Sequence, residues 1–361
     1  MNICLIGKNI TNLLLAKNLD NKGINFELFY SKTNDLSKIS TRTIGITEDN
    51  INFLGKNIKK NSWSIKDIKI YTESNNNEEI INFDSKMGSY FSIVKYSNLF
   101  QLLEKDLKKS KNIKKFLVTT KKLNTIIKNK KYDLIINSDF KNQISKKYFY
   151  RKYSKDYNST AYTTIINHKE CQNKSAYQIF TKFGPLAFLP ISEKNTSLVF
   201  SIYDKNFDMN SDKVLKLIKF YNKKYNIKNF DKIEKFKLKF STLRNYYYKN
   251  IVSLGDGLHQ VHPLAGQGFN MVIRDIKIFS EIIESKLDLG LPLDSLALEE
   301  FENKVRHLNF SFSKGIDFVY EFFKIDNKFN NKISNLFLKS LKNSDKFKNF
   351  STKIANRGLF L

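Results

Sequence analysis

The chain has 361 residues, 41% of them hydrophobic and 31 of them Phe, enough to bury a sizeable core, which excludes wholesale disorder. Its net charge of +27 comes from lysines spread along the whole chain, which reads first as a composition biased to Lys, Asn and Ile and second as a weak attraction to anionic membrane surfaces; with no RNA-recognition, zinc-finger or helix-turn-helix pattern, it argues against nucleic acid. Cys4 and Cys171 form neither a disulfide framework nor a zinc pattern, and no apolar run reaches the roughly 18 residues that a membrane span needs.

"NICLIG" (residues 2–7) reads as a short buried strand ending in Gly. A helix follows, with Leu13, Ala16 and Leu19 on one face and Gly23 as its stop, and "INFELFY" is a second strand. This is a β-α-β unit with a crossover of ordinary length. No signal peptide is recognisable in this start, so the expected location is cytoplasmic. Residues 68–95 read as strands broken by the polar turn "ESNNNEE", residues 97–110 as a helix, and "YDLIINSD" (132–139) as a buried strand ending in a polar turn. From about 146 to 245 the chain is strand-rich, interrupted by the helical "DKVLKLIKFYNKKYN". "NIVSLGD" is another apolar strand, and Val272, Ile276, Phe279 and Ile283 mark a helix behind it. Helices fill the rest. β-α-β material at both ends thus brackets a β-rich middle, which predicts a nucleotide-binding domain with a second, sheet-based domain inserted into it.

The chain holds only 13 Gly and 4 Pro, yet four glycines and one proline crowd into "GDGLHQVHPLAGQGFNMVIRD" (255–275). Gly255 lets the backbone turn hard after a strand, and Asp256 then stands at the strand's carboxyl end, where α/β folds hold ligands and a carboxylate accepts hydrogen bonds from a polyol. Pro263 fixes a turn. Gly266 and Gly268 leave bare backbone against which a flat ligand can lie, and the helix from Phe269 onward aims its N-terminal N–H groups there. A ring that becomes anionic, carried on a polyol chain, suits such a site, and a reduced flavin on its ribityl chain meets that description. The plain alternative is a glycine-rich turn that caps a helix.

This stretch closely resembles the second FAD motif of the aromatic-ring flavin hydroxylases, above all the ubiquinone-biosynthesis hydroxylases, with the pattern GDAAH-x-x-HP-x-x-GQG-x-N-x-x-x-xD. Gly255, Asp256, His259, His262, Pro263, Gly266, Gln267, Gly268, Asn270 and Asp275 match. "FGPLAFLPIS" (183–192) resembles the same group's GPLA-x-LP segment on the substrate side of the sheet, which implies substrate-side roles for Gly184, Pro185, Leu186 and Pro190. "TRTIGIT" (41–47) sits where the family has an Arg near the flavin, so Arg42 is the candidate. "YDLIINSD" resembles the D-x-x-x-GADG motif and keeps Asp139; "FSTKIANRGLFL" is similar in style to the family's C-terminus.

The resemblance implies a p-hydroxybenzoate-hydroxylase-like fold in the α/β (α+β two-domain) class: a Rossmann-like FAD-binding domain (1–67, 96–145 and 246–361, with C-terminal helices) and an inserted β-sheet substrate-binding domain (68–95 and 146–245). It implies FAD as cofactor and NAD(P)H as electron donor. The implied reaction is hydroxylation of a polyprenylated phenol with O₂ in ubiquinone biosynthesis, through a flavin C4a-hydroperoxide. Implied cofactor-binding residues are Gly7, Arg42, Asp139, Gly255, Asp256, Pro263, Gly266, Gly268, Phe269 and Asn270. Asp256 would hold the ribityl chain, and Gly268, Phe269 and Asn270 would offer backbone N–H groups to the flavin. No acid or base and no metal ligand is assigned. Implied partners are the membrane surface and a ubiquinone-biosynthesis protein assembly, with peripheral attachment to the inner face of the membrane. A second reading is a non-catalytic subunit of such an assembly, and a third is a flavin reductase of prenyl chains.

The departures concentrate at one end of the dinucleotide. The family's G-x-G-x-x-G becomes Gly7, Asn9, Asn12; the acidic residue expected on the adenosine ribose is Tyr30; and the glycine after Asp139 is Phe140. Glu27 lies on the other face of its strand from Tyr30 and is a poor substitute. His259 and His262 have a metal pair's spacing without a third ligand, so turn-capping is expected of them. His168, His307 and Trp63 are expected to be structural. The segment "ISNLFLKSLKNSDKFKNF" reads as a terminal helix, either packed or lying on a membrane surface.

Overall fold

The N-terminal apolar run folds as strand β1 (Ile3–Ile6), buried along its whole length, and leads into α1 (Ile10–Asn21) and β2 (Phe26–Tyr30). The computed structural model describes residues 2–31, 41–73, 79–84, 91–128, 131–203, 209–263 and 266–326. The next elements are β3 (Thr43–Thr47), α2 (Glu48–Leu54), α3 (Lys56–Lys60), β4 (Trp63–Ile65), β5 (Asp67–Thr72), β6 (Glu79–Asp84) and β7 (Phe91–Lys95). Then come α4 (Tyr96–Asp106), β8 (Ile113–Leu117), α5 (Thr120–Lys128), β9 (Leu134–Asn137) and α6 (Gln143–Tyr148). The strand-rich stretch holds β10 (Lys152–His168), β11 (Ser175–Thr181), β12 (Gly184–Pro190), β13 (Asn195–Tyr203), α7 (Ser211–Tyr221), β14 (Ile227–Phe230) and β15 (Glu234–Leu243). The chain continues through β16 (Tyr247–Tyr248), β17 (Ile251–Ser253), β18 (His259–Gln260), α8 (Gly268–Asp288) and α9 (Ser295–Asp326).

Among the described residues three sheets form. The first has the order β16-β17-β9-β1-β2-β8, and all its pairings except β16 with β17 are parallel. β1 and β9 are buried on both faces, as parallel strands covered by helices are, which is why they read as unbroken apolar runs. Val272, Ile276, Phe279 and Ile283 of α8 pack into this core as the spacing predicted. At about 1.5–3 kcal/mol for each fully buried side chain, that stripe fixes α8 against the sheet.

The second sheet runs β18-β15-β10-β13-β12-β11-β5-β6, with β14 beside β10. One face is covered by α7 over Leu186, Phe188, Leu198 and Phe200. The third is the antiparallel set β3-β7-β4. Sheet membership therefore divides the 68–95 segment: β5 and β6 join the large sheet, and β7 does not. β3 touches the other face of the large sheet through Thr43 Oγ1, which donates to Ser197 Oγ at 2.8 Å, and through the Thr41–Thr163 hydroxyl pair at 3.3 Å. No helix among the described residues is long and apolar enough to cross a membrane. The expected terminal helix at 333–350 and the C-terminal "FSTKIANRGLFL" lie outside the described residues.

Candidate active site

The glycine-rich stretch bridges the two large sheets. β17 belongs to the parallel sheet, the chain turns at Gly255–Gly257 in one 3₁₀ turn, and β18 pairs with Ser241 and Thr242 at the edge of the large sheet. Gly255 has φ +71°, and a Cβ there would lie 2.5 Å from Thr11 Oγ1 of α1, so glycine is required on both counts. The turn leaves Asp256 exposed. Asp256 lies within electrostatic reach of the buried Tyr96, at the start of α4. Burial raises the Tyr96 phenol to about 12, Arg42 opposes that shift, Asp256 adds to it, and a hydrogen bond from the Ile10 backbone lowers it. Arg42 is exposed, with its guanidinium carbon 5.4 Å from the centre of the Tyr96 ring. Arg42, Tyr96 and Asp256 thus come together from three segments; the sequence offered no signal for Tyr96.

After β18 the chain makes a tight turn in which Gly266 N–H donates to the Pro263 carbonyl at 3.1 Å. Gly266 has φ +64°, and a Cβ there would stand 3.4 Å from the Gly45 nitrogen of β3. A Cβ would thus fill the space up to Gly45, and the positive φ would strain any L side chain at 266. Asn270 holds this approach from below. Its Oδ1 accepts from Thr47 N and from Asn50 Nδ2, both at 3.0 Å, and its Nδ2 donates to the Gly45 carbonyl at 3.1 Å. The Asn270 side chain is thus a clamp on β3. Gln267 precedes α8 and makes no side-chain cap, so the N–H groups of Gly268, Phe269 and Asn270 form a helix start that no cap side chain occupies. Such a start favours negative charge.

Both histidines of the motif depart from the turn-capping expectation. His259 Nε2 donates to Asp275 Oδ2 at 2.7 Å, and both side chains are almost fully buried. Asp275 also accepts from Arg274 at 3.2 Å and from Asn309 Nδ2 at 3.3 Å, so this network ties β18, α8 and α9 together. His262 is buried, and neither ring nitrogen has a hydrogen-bond partner. It packs against Tyr157 and Tyr320, and burial pushes its pKa down to about 3. As expected, His168 and Trp63 are structural. His168 is buried and bonds Thr196 at 3.0 Å, and Trp63 donates to the Asn173 carbonyl at 2.6 Å.

The wall across from β3 belongs to the large sheet. Alternation along β10, β12 and β13 turns Thr163, Ala187, Ser197 and Val199 to the face that β3 contacts through Thr163 and Ser197. These are small side chains. Leu186 points the opposite way, into the core under α7, fully buried. The substrate-side expectation for Leu186 is corrected: strand alternation places it on the far side. Pro190 shares the parity of Leu186, and Pro185 that of Ala187. The bare Cα of Gly184, at φ +128°, is required by the backbone carbonyl of Ser201 beside it.

The other end of the site is built differently. Asn9 is the N-cap of α1, and its Oδ1 accepts from Asn12 N at 3.2 Å. Its Nδ2 donates to the Ser138 carbonyl at 3.1 Å, and Ser138 Oγ donates back to Asn9 Oδ1 at 3.1 Å. Asn12 is fully buried and donates to the carbonyls of Ile6 at 2.9 Å and Gly7 at 2.8 Å. Asp139 Oδ1 accepts from Lys141 N at 3.0 Å, and Phe140 lies against the turn at Gly257. Glu27 is held by Lys131 and Tyr132, as its strand face required.

No family model matches the chain. Over 115 residues, 32% of this chain, it is 31% identical to the mitochondrial ubiquinone biosynthesis monooxygenase COQ6 of Dictyostelium discoideum. Over 172 residues, 44% of this chain, it is 26% identical to the 3-demethoxyubiquinol 3-hydroxylase of Escherichia coli. The resemblance is to ubiquinone-biosynthesis hydroxylases, as the 255–275 motif indicated. These matches span only 23% and 43% of the relatives' own lengths. The p-nitrophenol 4-monooxygenase PnpA of Pseudomonas putida superposes with a TM-score of 0.79 at 12% identity, covering 99% of this chain and 98% of that one. The fold is therefore the p-hydroxybenzoate-hydroxylase-like one.

Proposed function

We propose that the chain is an FAD-dependent aromatic-ring hydroxylase that uses NAD(P)H and O₂ on a polyprenylated phenol of ubiquinone biosynthesis. The observation that carries the reading is the Gly266 turn, at positive φ beside Gly45 of β3 and at the uncapped start of α8. These residues fit the ring and ribityl half of a flavin. Asp256 would accept hydrogen bonds from ribityl hydroxyls. The N–H groups of Gly268, Phe269 and Asn270 would stabilise negative charge on the ring, and Arg42 would add a positive charge beside it. Thr163, Ala187, Ser197 and Val199 would leave room for a substrate ring and exclude bulk water. When bound, FAD would supply the redox chemistry: NAD(P)H, a proton and O₂ become NAD(P)⁺ and water as one oxygen atom is inserted into a ring C–H bond to give a hydroxyl. The protein's part is binding and orientation. The polyprenyl tail and contact with a membrane surface or an enzyme assembly belong to this proposal; they rest on the relatives' names and on the lysine-rich composition.

The non-catalytic reading has one observation in its favour, the side chains of Asn9 and Asn12 where the dinucleotide fingerprint has glycine, with Ser138 bonded to Asn9. The absorbance spectrum of freshly purified protein, followed by identification of the released cofactor, separates the two. A flavin spectrum supports the hydroxylase. A colourless protein that takes up no added flavin selects the non-catalytic subunit.

A further inference from the structure

In an open parallel sheet the ligand crevice opens where neighbouring strands send their connections to opposite sides. Here that point lies between β1 and β9, which pair side by side from Ile3 with Leu134 to Ile6 with Asn137. Asn9, after β1, and Ser138, after β9, are joined across this crevice by two hydrogen bonds of 3.1 Å. Asn9 Oδ1 also takes the Asn12 N–H. One of the donors that a helix start offers to a phosphate is therefore engaged by a side chain of this chain. Asn12 fills the space that a third glycine would leave, and its two bonds to the Ile6 and Gly7 carbonyls hold it there. A Cβ at Gly7 would lie 3.0 Å from Asp139 Cβ and 3.1 Å from Ser138 Oγ, so the walls are already in contact. Farther along, the Lys8 ammonium is 5.2 Å from the centre of the Tyr30 ring and 5.7 Å from that of Phe100, and it pairs with Glu104. That set stands at the end of β2, where a ribose-binding carboxylate belongs in the dinucleotide fold.

From this we infer that Asn9, Asn12 and Ser138 form a latch across the dinucleotide crevice, so that flavin affinity rests on the ring and ribityl half and the adenylate half adds little. The inference rests on the proposed flavin site. Binding of the adenylate half must break the Asn9–Ser138 bonds and uncover the α1 start, and each such bond offsets up to about tenfold in affinity. The chain therefore discriminates weakly between FAD and FMN.

The test is equilibrium titration of the full chain with FAD and with FMN, read by flavin fluorescence. For the unmodified protein the two affinities should differ by less than about tenfold. Asn9→Gly keeps an acceptable helix N-cap and removes the latch. It should tighten FAD by about tenfold and leave FMN within about twofold. Ser138→Ala, which removes one bond, should act in the same direction with a smaller effect. A preference for FAD above about a hundredfold in the unmodified protein, or FAD affinity unmoved by either substitution, would overturn the latch and leave the flavin site standing. Failure of the unmodified chain and both variants to bind either flavin would overturn the latch and the flavin site together.

Discussion

The starts of α1 and α8 bound the proposed flavin site and are built in opposite ways. At α8 the polar anchors lie beneath the loop: Asn270 clamps β3, and His259 holds Asp275 in the core. The backbone above them is left bare, and Gln267 makes no side-chain cap. At α1 hydrogen bonds of the same kind lie across the opening itself, with Asn9 capping the helix and bonding Ser138. Similar amide chemistry lies beneath the proposed binding surface in one place and across it in the other. What decides is the side of the backbone from which the anchor reaches, because a cap side chain and a ligand compete for the same N–H groups.

The sharpest way to break this comparison is to remove an anchor beneath the α8 loop. His259→Leu removes one buried partner of the Asp275 carboxylate, which keeps Arg274 and Asn309, and should cost about 2–3 kcal/mol of stability in denaturant unfolding. A loss below about 1 kcal/mol would mean that the pair supports nothing. Next is the ligand side of the same loop. Asp256→Ala should weaken flavin binding by about a hundredfold through the lost charged hydrogen bonds, seen as colourless protein after desalting. Retained flavin would remove Asp256 from the site.

Third is His262. Its folded pKa of about 3 lies below the ordinary 6.5, so the unfolded chain binds the extra proton between these values. The neutral ring's contribution is intact above about pH 6.5 and is lost as the pH falls towards 3. His262→Phe should therefore stabilise the protein at pH 5 by about 2 kcal/mol more than at pH 8, measured by unfolding at both. Equal effects at the two pH values would show that the imidazole is not held neutral. The smallest effect expected is at Gly266. Any L-residue at φ +64° is strained by roughly 1–2 kcal/mol. Gly266→Ala should weaken flavin by about tenfold while Gly23→Ala, also at positive φ but with open space around it, leaves binding unchanged.

Much of the loop before α8 was legible because its signal is local. Gly255, Pro263, Gly266 and Gly268 stand close together in a glycine-poor chain, and the α8 stripe repeats at helical spacing. The turn-capping reading of the histidines failed because the partner of His259 is on α8 and the neighbours of His262 are on β10 and α9. The direction of Leu186 was missed because spacing along a strand gives alternation but not which face meets the neighbouring sheet.

The sequence by itself determined the β-α-β start, the strand-rich middle, the bare loop before α8 and the substitution of Asn9, Asn12 and Tyr30 at the adenylate end, since each depends on residue type and short-range period. Tertiary structure decided what those substitutions do. The Asn9–Ser138 bonds span 129 positions, and Arg42, Tyr96 and Asp256 come from three elements. Parallel pairing of β1 with β9 brings the two connections to the same crevice, and no local pattern encodes which strand ends become neighbours.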